Sequence, residues 1–142
     1  MKISEVMTTE LETVNADQTA REAAAFMLRA DAGSIPVCEG DKVIGMVTDR
    51  DIAVRGVAVG RGPDTPVSEL MSDGIICAHE DDDIQLVARR MSEEQVRRLP
   101  VVDADDRLVG IVSLGDLTRE TGGEAAHLAL EGVSAPGGSH QQ

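Results

Sequence analysis

The 142 residues predict an α+β fold built from two β-α-β-β-α repeats. The first observation is duplication. Met7 and Met71, Met27 and Met91, and Pro36 and Pro100 are each 64 residues apart. Gly45 and Gly110, Thr48 and Ser113, and Asp51 and Asp116 are each 65 apart. The one-residue slip falls in a hairpin turn, where insertions are tolerated. The second observation is periodicity. In each copy one helical stripe stands between short β-prone runs. The third is that Phe26 is the only aromatic residue, so the core must be aliphatic.

The first copy spans residues 1–56. It opens on Ile3, Val6 and Met7, and Val6-Met7 recurs as Leu70-Met71. Thr13-Val14 is a short β-prone run. Residues 15–19 form a polar turn with several candidate N-caps. Ala20, Ala23, Ala24, Met27 and Leu28 fall at helical spacing through Arg29. Asp31, Ala32 and Gly33 close the helix, with Gly33 free to take the left-handed conformation that helix ends favour. Ile35-Pro36-Val37-Cys38 reads as a strand whose proline suits an edge or a first position. A Glu39-Gly40-Asp41 turn then leads into a return strand, Val43 to Thr48. A short helix follows from Asp49 to Arg55, ended by Gly56.

Gly60, Gly62, Pro63 and Pro66 mark residues 57–66 as a linker. The second copy spans residues 67–120. Ile75 to Ala78 reads as a strand. The acidic run Glu80 to Asp83 is a favourable helix start at the positive end of the helix dipole. Ile84, Val87, Ala88 and Met91 supply the stripe. Arg97 to Val102 and Leu108 to Ser113 read as a hairpin around Ala104-Asp105-Asp106, and Leu114 to Arg119 opens the last helix. Residues 121–142 form a tail, with a short helical pattern at Glu124–Glu131 and a Gly/Ser/Pro-rich end expected to be disordered.

Each copy is about 55–60 residues, near the lower size limit for independent folding. Each sheet is left with an apolar face to cover. The two sheets are therefore expected to pack together with pseudo-two-fold symmetry, creating two equivalent clefts between the repeats.

Net charge is −13. That argues against nucleic acid as a partner, because phosphate backbones need a basic footprint. It also disfavours anionic membrane surfaces. No apolar run approaches the ~20 residues of a membrane span, and the N-terminal residues lack a signal-peptide pattern. Cys38 and Cys77 have no ligand-type spacing and read as buried free thiols. A cytoplasmic protein is the expectation.

Two stretches carry the chemistry: Gly45-Met46-Val47-Thr48-Asp49-Arg50-Asp51 and Gly110-Ile111-Val112-Ser113-Leu114-Gly115-Asp116. Each places a hydroxyl and a carboxylate at a strand-to-helix turn. Hydroxyl-x-x-carboxylate is a capping-box signature, so both pairs have a structural role available. The same geometry suits a nucleoside phosphate. A helix N-terminus with a hydroxyl favours phosphate, and a carboxylate one turn on can accept hydrogen bonds from a ribose diol. Without aromatics to stack on, a base would lie among Met46, Ile76, Ile111 and the prolines Pro36 and Pro100. Arg97 and Arg98 either offset phosphate charge or are solvated surface cations. His79 and His127 stand in no catalytic pattern. Metal-ligand spacing is absent, and the acidic run lacks the alternation and glycine of a calcium loop. Neither catalysis nor a metal is expected.

The order and spacing of Ile35-Pro36-Val37, Leu99-Pro100-Val101 and the two turn motifs resemble a tandem pair of CBS domains over residues 1–120. The short chain is similar to the stand-alone bacterial members. The resemblance implies a regulatory module that binds adenosine-containing nucleotides in the inter-repeat clefts. AMP, ADP, ATP, NAD and S-adenosylmethionine are the candidate ligands. It places ribose on Asp51 and Asp116, and phosphate on Thr48 and Ser113. It places the base near Gly33 and Ser34 in one repeat and Arg97 and Arg98 in the other. Because Gly33 stands where the second repeat has Arg97, the two sites are expected to differ in affinity. A homodimer formed through helices and an unidentified protein partner are also implied. The alternatives are a ligand-independent stress or interaction module whose motifs serve as caps, and a dissociated regulatory subunit of an enzyme or transporter.

Overall fold

The computed structural model describes residues 1–72 and 74–121. The expectations for the tail beyond them, His127 among them, lie outside the described residues. The chain forms two compact units. One comprises residues 12–75, and the other comprises residues 1–11 together with the described residues from Ile76.

In the unit of residues 12–75, β1 (Val14–Asn15) pairs in parallel with β2 (Ser34–Glu39), which pairs antiparallel with β3 (Lys42–Thr48). Helix α1 (Ala20–Ala30) crosses from β1 to β2. It starts at Thr19, whose hydroxyl accepts the Glu22 N–H. It buries Ala20, Ala23 and Met27 against Ile35, Val37 and Val47. The other unit repeats the plan. There β4 (Ala78–His79), β5 (Arg98–Val102) and β6 (Leu108–Ser113) form the sheet, with α2 (Ile84–Glu94) between β4 and β5 and α3 (Leu114–Thr121) after β6. Asp83 caps α2 by accepting the Gln85 N–H. The predicted stripe Ile84, Val87, Ala88 and Met91 is buried.

Several expectations are corrected. Helix α1 closes on Asp31, which takes the left-handed conformation at φ 50°, and not on Gly33. The run from Ile75 to Cys77 is not strand; pairing begins only at Ala78. Cys77 is half-buried, whereas Cys38 is buried. The helix after β3 is a π-helical segment, Asp51–Gly56, followed by a 3₁₀ turn at Val57–Val59.

Pro36 lies in the central strand of its sheet, not at an edge. The register explains how it is tolerated. Pro36 faces Met46, whose own N–H and carbonyl pair outward with Ser72. Pro36 therefore occupies a non-hydrogen-bonded position against β3. On its other side β1 reaches only Val37 and Cys38, so no ladder bond is lost. Pro100 repeats this opposite Ile111, which pairs outward with Thr8.

The compact units and the sequence repeats are different partitions of the chain, because each repeat contributes its opening segment to the other unit. The N–H of Ile3 donates to the Asp82 carbonyl at 2.8 Å, and Val67 does the same to Gln18 at 2.8 Å. Ser4 donates to Glu80 and Ser68 to Ala16, each at 3.1 Å. Ile84 donates to Met1, as Ala20 does to Thr65. Each of these three bonds in one unit has its counterpart 64 residues away in the other. Ile3 and Val6 join one core, and Val67 and Leu70 join the other.

Candidate functional site

Strand alternation divides each sheet into two faces. In the first unit Ile35, Val37 and Val47 meet α1. The cross-strand pairs Ser34–Thr48 and Pro36–Met46 stand on the opposite face. In the second unit Arg98–Ser113 and Pro100–Ile111 occupy the same positions. Eight of the residues predicted to form the site thus fall into two matching patches, one on each sheet. Met46 and Ile111 are buried but belong to neither helix-side core cluster. Gly33 and Arg97 precede the two patches. Their carbonyls accept the N–H groups of Asp49 (2.9 Å) and Leu114 (3.1 Å), which fixes the strand-to-helix turns. Arg97 is exposed and Arg98 half-buried. Ile76 is placed apart from the patches, half-buried against the core of its own unit.

Both motif pairs form complete capping boxes. The Thr48 N–H donates to Asp51 Oδ2 at 2.9 Å, and the Asp51 N–H donates to Thr48 Oγ1 at 3.0 Å. Ser113 and Asp116 repeat this at 2.9 and 3.2 Å. Each carboxylate thus has one oxygen engaged by the box.

The two patches differ in how the remaining polar atoms are used. Ser34 Oγ is buried with no hydrogen-bond partner among the described residues. A buried hydroxyl left in that state costs free energy unless something satisfies it. In the second patch Arg98 replaces that serine. The second oxygen of Asp116, Oδ1, accepts a close hydrogen bond from Arg119 Nη2.

Two features of the motifs were missed in the sequence. The motif glycines mark close backbone approach. A Cβ on Gly45 would lie 2.7 Å from Met71 Sδ and 2.8 Å from the Ser72 carbonyl oxygen. On Gly110 it would lie 2.6 Å from Met7 Sδ and 3.0 Å from the Thr8 oxygen. The recurrence of Met7 as Met71 was the available signal. The Arg119 contact was the other omission, and the signal there was a cation three residues after Asp116 where the first repeat has Val54.

An apolar cavity of about 220 Å³ lies between α1, the π-helical segment and residues 61–63, lined by Ala20, Ala24, Ile52, Val57 and Pro63 among others. The two arginines at it, Arg21 and Arg61, are paired with Asp64 and Glu69. Among the described residues no group of three or more His, Cys, Asp or Glu side chains is arranged to hold a metal ion. No described helix is long and apolar enough to cross a membrane.

Two duplicated β-α-β-β-α repeats, each with a hydroxyl–carboxylate turn beside an apolar-Pro-apolar strand, define a tandem domain pair of the regulatory-module class. The family model described as CBS domain matches residues 3–56 and 67–123, and the chain belongs to this family. It is 43% identical over 133 residues to the CBS domain-containing protein YhcV of Bacillus subtilis, covering 93% of this chain and 94% of that one. The fold matches a solved structure of Hypoxic Response Protein I with two coordinated zinc ions. That match has a TM-score of 0.78 and 36% identity over 84% of this chain and 98% of that one. It also matches the CBS domain pair of protein MJ0100, solved in complex with 5′-methylthioadenosine and S-adenosyl-L-methionine. There the TM-score is 0.75, with 30% identity over 87% of this chain and 98% of that one.

Proposed function

We propose that this chain is a non-catalytic cytoplasmic sensor that binds an adenosine-containing nucleotide in clefts between its two repeats and passes occupancy to a protein partner. The observation that carries the reading is the patch formed by Ser34, Pro36, Met46 and Thr48 beside Asp51. It gathers an apolar wall for a base, a hydroxyl at a helix start and a carboxylate for a ribose diol, with a buried hydroxyl left unsatisfied. The second patch, Arg98, Pro100, Ile111 and Ser113 beside Asp116, offers the same frame with added positive charge. Gly33 and Arg97 directly precede the two patches in the chain, and Ile76 is the weakest of the base contacts in this reading because it packs into its own unit's core. The adenosine compounds bound by the MJ0100 domain pair favour the same ligand class.

In this reading a ligand acts on the protein only to the extent that it binds one of its states better than another. A homodimer through the helical faces belongs to the same reading.

The complete capping boxes favour a second reading, a ligand-independent interaction module whose motifs only stabilise helix starts. Thermal unfolding of the wild type and of Asp51→Ala/Asp116→Ala against AMP, ADP, ATP, NAD and S-adenosylmethionine separates the two. A ligand at ~100 times its dissociation constant stabilises by ~2.7 kcal/mol. The sensor reading expects that shift in the wild type alone. No shift with any compound sinks it and leaves the cap-only reading.

A further inference from the structure

The two motifs form the same capping-box hydrogen bonds, yet their carboxylates are not in the same state. A ribose diol needs a carboxylate oxygen that is free to accept. In the first motif Asp51 is half-buried and spends Oδ2 on the Thr48 N–H. Three residues on stands Val54, which has no charge to offer. The nearby Arg55 is committed elsewhere, donating to the carbonyls of Leu70 and Met71 at 3.1 Å each. In the second motif the Asp116 side chain is 5% exposed, and both of its oxygens are taken, Oδ2 by the Ser113 N–H and Oδ1 by Arg119. The guanidinium sets a full positive charge against the carboxylate, where a ribose hydroxyl would offer an uncharged donor. A ligand entering the second motif therefore competes with Arg119 for Asp116 Oδ1.

The serine and arginine opposite the motif hydroxyls point the same way. Across from Thr48, Ser34 Oγ is buried and unsatisfied. Across from Ser113, Arg98 carries its charge to a half-exposed position. The first motif thus has polar atoms that a bound molecule would satisfy, and the second has an internal contact that competes with a bound molecule.

We propose that the two nucleotide positions are filled in order: the adenosine-containing ligand occupies the Thr48–Asp51 position first, and Arg119 acts as a self-occupying latch that weakens binding at Ser113–Asp116. This rests on the sensor reading above and names the residue that makes its two sites unequal.

The test is isothermal titration with AMP of the full chain and of Asp51→Asn, Asp116→Asn, Arg119→Ala and Arg119→Gln. The asparagines keep an acceptor for the capping boxes while removing the charge. The wild type is expected to show one tighter site that Asp51→Asn removes and Asp116→Asn leaves in place. Arg119→Ala and Arg119→Gln are each expected to tighten the weaker site about tenfold, from loss of one charge-assisted bond. Combining Asp116→Asn with Arg119→Ala should abolish that gain. If the tighter site is instead lost with Asp116→Asn, or if removing Arg119 weakens binding, Arg119 is a ligand contact and not a latch. Two equal wild-type sites that ignore Arg119 overturn the proposal and leave the nucleotide reading intact. If neither the wild type nor the Arg119 variants bind AMP or any other compound of the adenosine panel, the sensor reading and this proposal both fail.

Discussion

Met7 lies against Gly110 so closely that a single added methyl carbon would sit 2.6 Å from its sulfur. Met71 stands in the same relation to Gly45, at 2.7 Å. A backbone carbonyl closes the space on each side, Thr8 at 3.0 Å and Ser72 at 2.8 Å. These carbonyls also accept from Ile111 and Met46, so they cannot retreat without breaking a bridge at the sheet edge. Gly110→Ala and Gly45→Ala are each expected to destabilise by about 1–3 kcal/mol, the usual cost of overpacking. Shortening the facing methionine to alanine should relieve Gly110→Ala more than Gly45→Ala, because the carbonyl is nearer in the second case. Urea midpoints of the single and double variants check this.

The hydroxyls of the two motifs have a smaller effect. Each accepts one helix-start N–H while its carboxylate partner returns the bond. Thr48→Ala and Ser113→Ala should each cost about 1 kcal/mol, as N-cap deletions do. Thr48 is the more buried of the two, so its variant is expected to be the worse, measured by denaturant unfolding without ligand.

Much of this architecture was legible because periodicity is a local signal. The α2 stripe and the two hairpins follow from spacing alone, and the capping boxes were readable at Thr48–Asp51 and Ser113–Asp116; in α1 the spacing gave the helix, but Ala24 and Leu28 of its expected stripe are exposed. What could not be read was decided by distant chain. Asp31 and not Gly33 ends α1, since the left-handed position follows where the last helical turn closes. Ile75 to Cys77 have strand-like composition, but pairing starts only where β5 is available, at Ala78. Pro36 tolerates a central strand because β1 is two residues long and β3 turns its hydrogen bonds outward there. The patches of the candidate site follow from strand parity once the register is known. The Arg119–Asp116 contact needed side-chain geometry.

The hairpin turn of the second unit introduces acid sensitivity. Asp103 Oδ1 accepts the N–H groups of Arg107 at 3.0 Å and Asp105 at 2.8 Å. The bond from Arg107 is the main reason its carboxyl titrates below the ordinary carboxylate range, with that from Asp105 adding to it and desolvation opposing. A folded-state value below the unfolded one gives stability that is present above the ordinary carboxylate pKa and lost as pH falls through the depressed value. Asp103→Asn should therefore be less stable than the wild type at pH 7, with the gap closing as the medium is acidified below about pH 4. Paired urea titrations across that range test the sign.

Cys77 works at the other end of the scale. Burial raises its thiol above the ordinary value, Arg90 opposes this, and Asp106 adds to it. The unfolded chain then ionises before the folded one, so stability is unaffected below the ordinary thiol pKa and declines as pH rises through it. Thiolate absorbance in a Cys38→Ala chain should appear at higher pH when folded than when unfolded in urea. Cys77→Ala should remove that part of the alkaline loss of stability.

The exchange of opening segments makes a prediction about where the chain can be cut. Val67 and Leu70 are both fully buried in the core of residues 12–75, although they belong to the second sequence repeat. A fragment of residues 1–66 contains the whole first repeat but lacks both side chains and the Met46–Ser72 bridge. Losing a buried leucine side chain alone costs about 2–5 kcal/mol, comparable with the whole stability expected of so small a unit. Residues 12–75 contain every member of that core cluster and drop only the segment that serves the other unit. Circular dichroism melts should show a cooperative transition for 12–75 and a broad or absent one for 1–66. Adding Leu70→Ala to 12–75 should bring its behaviour toward that of 1–66. Equal cooperativity in the two fragments would mean that the exchanged segments only decorate the units. Loss in 1–66 alone would show that each repeat depends on the other to finish its core.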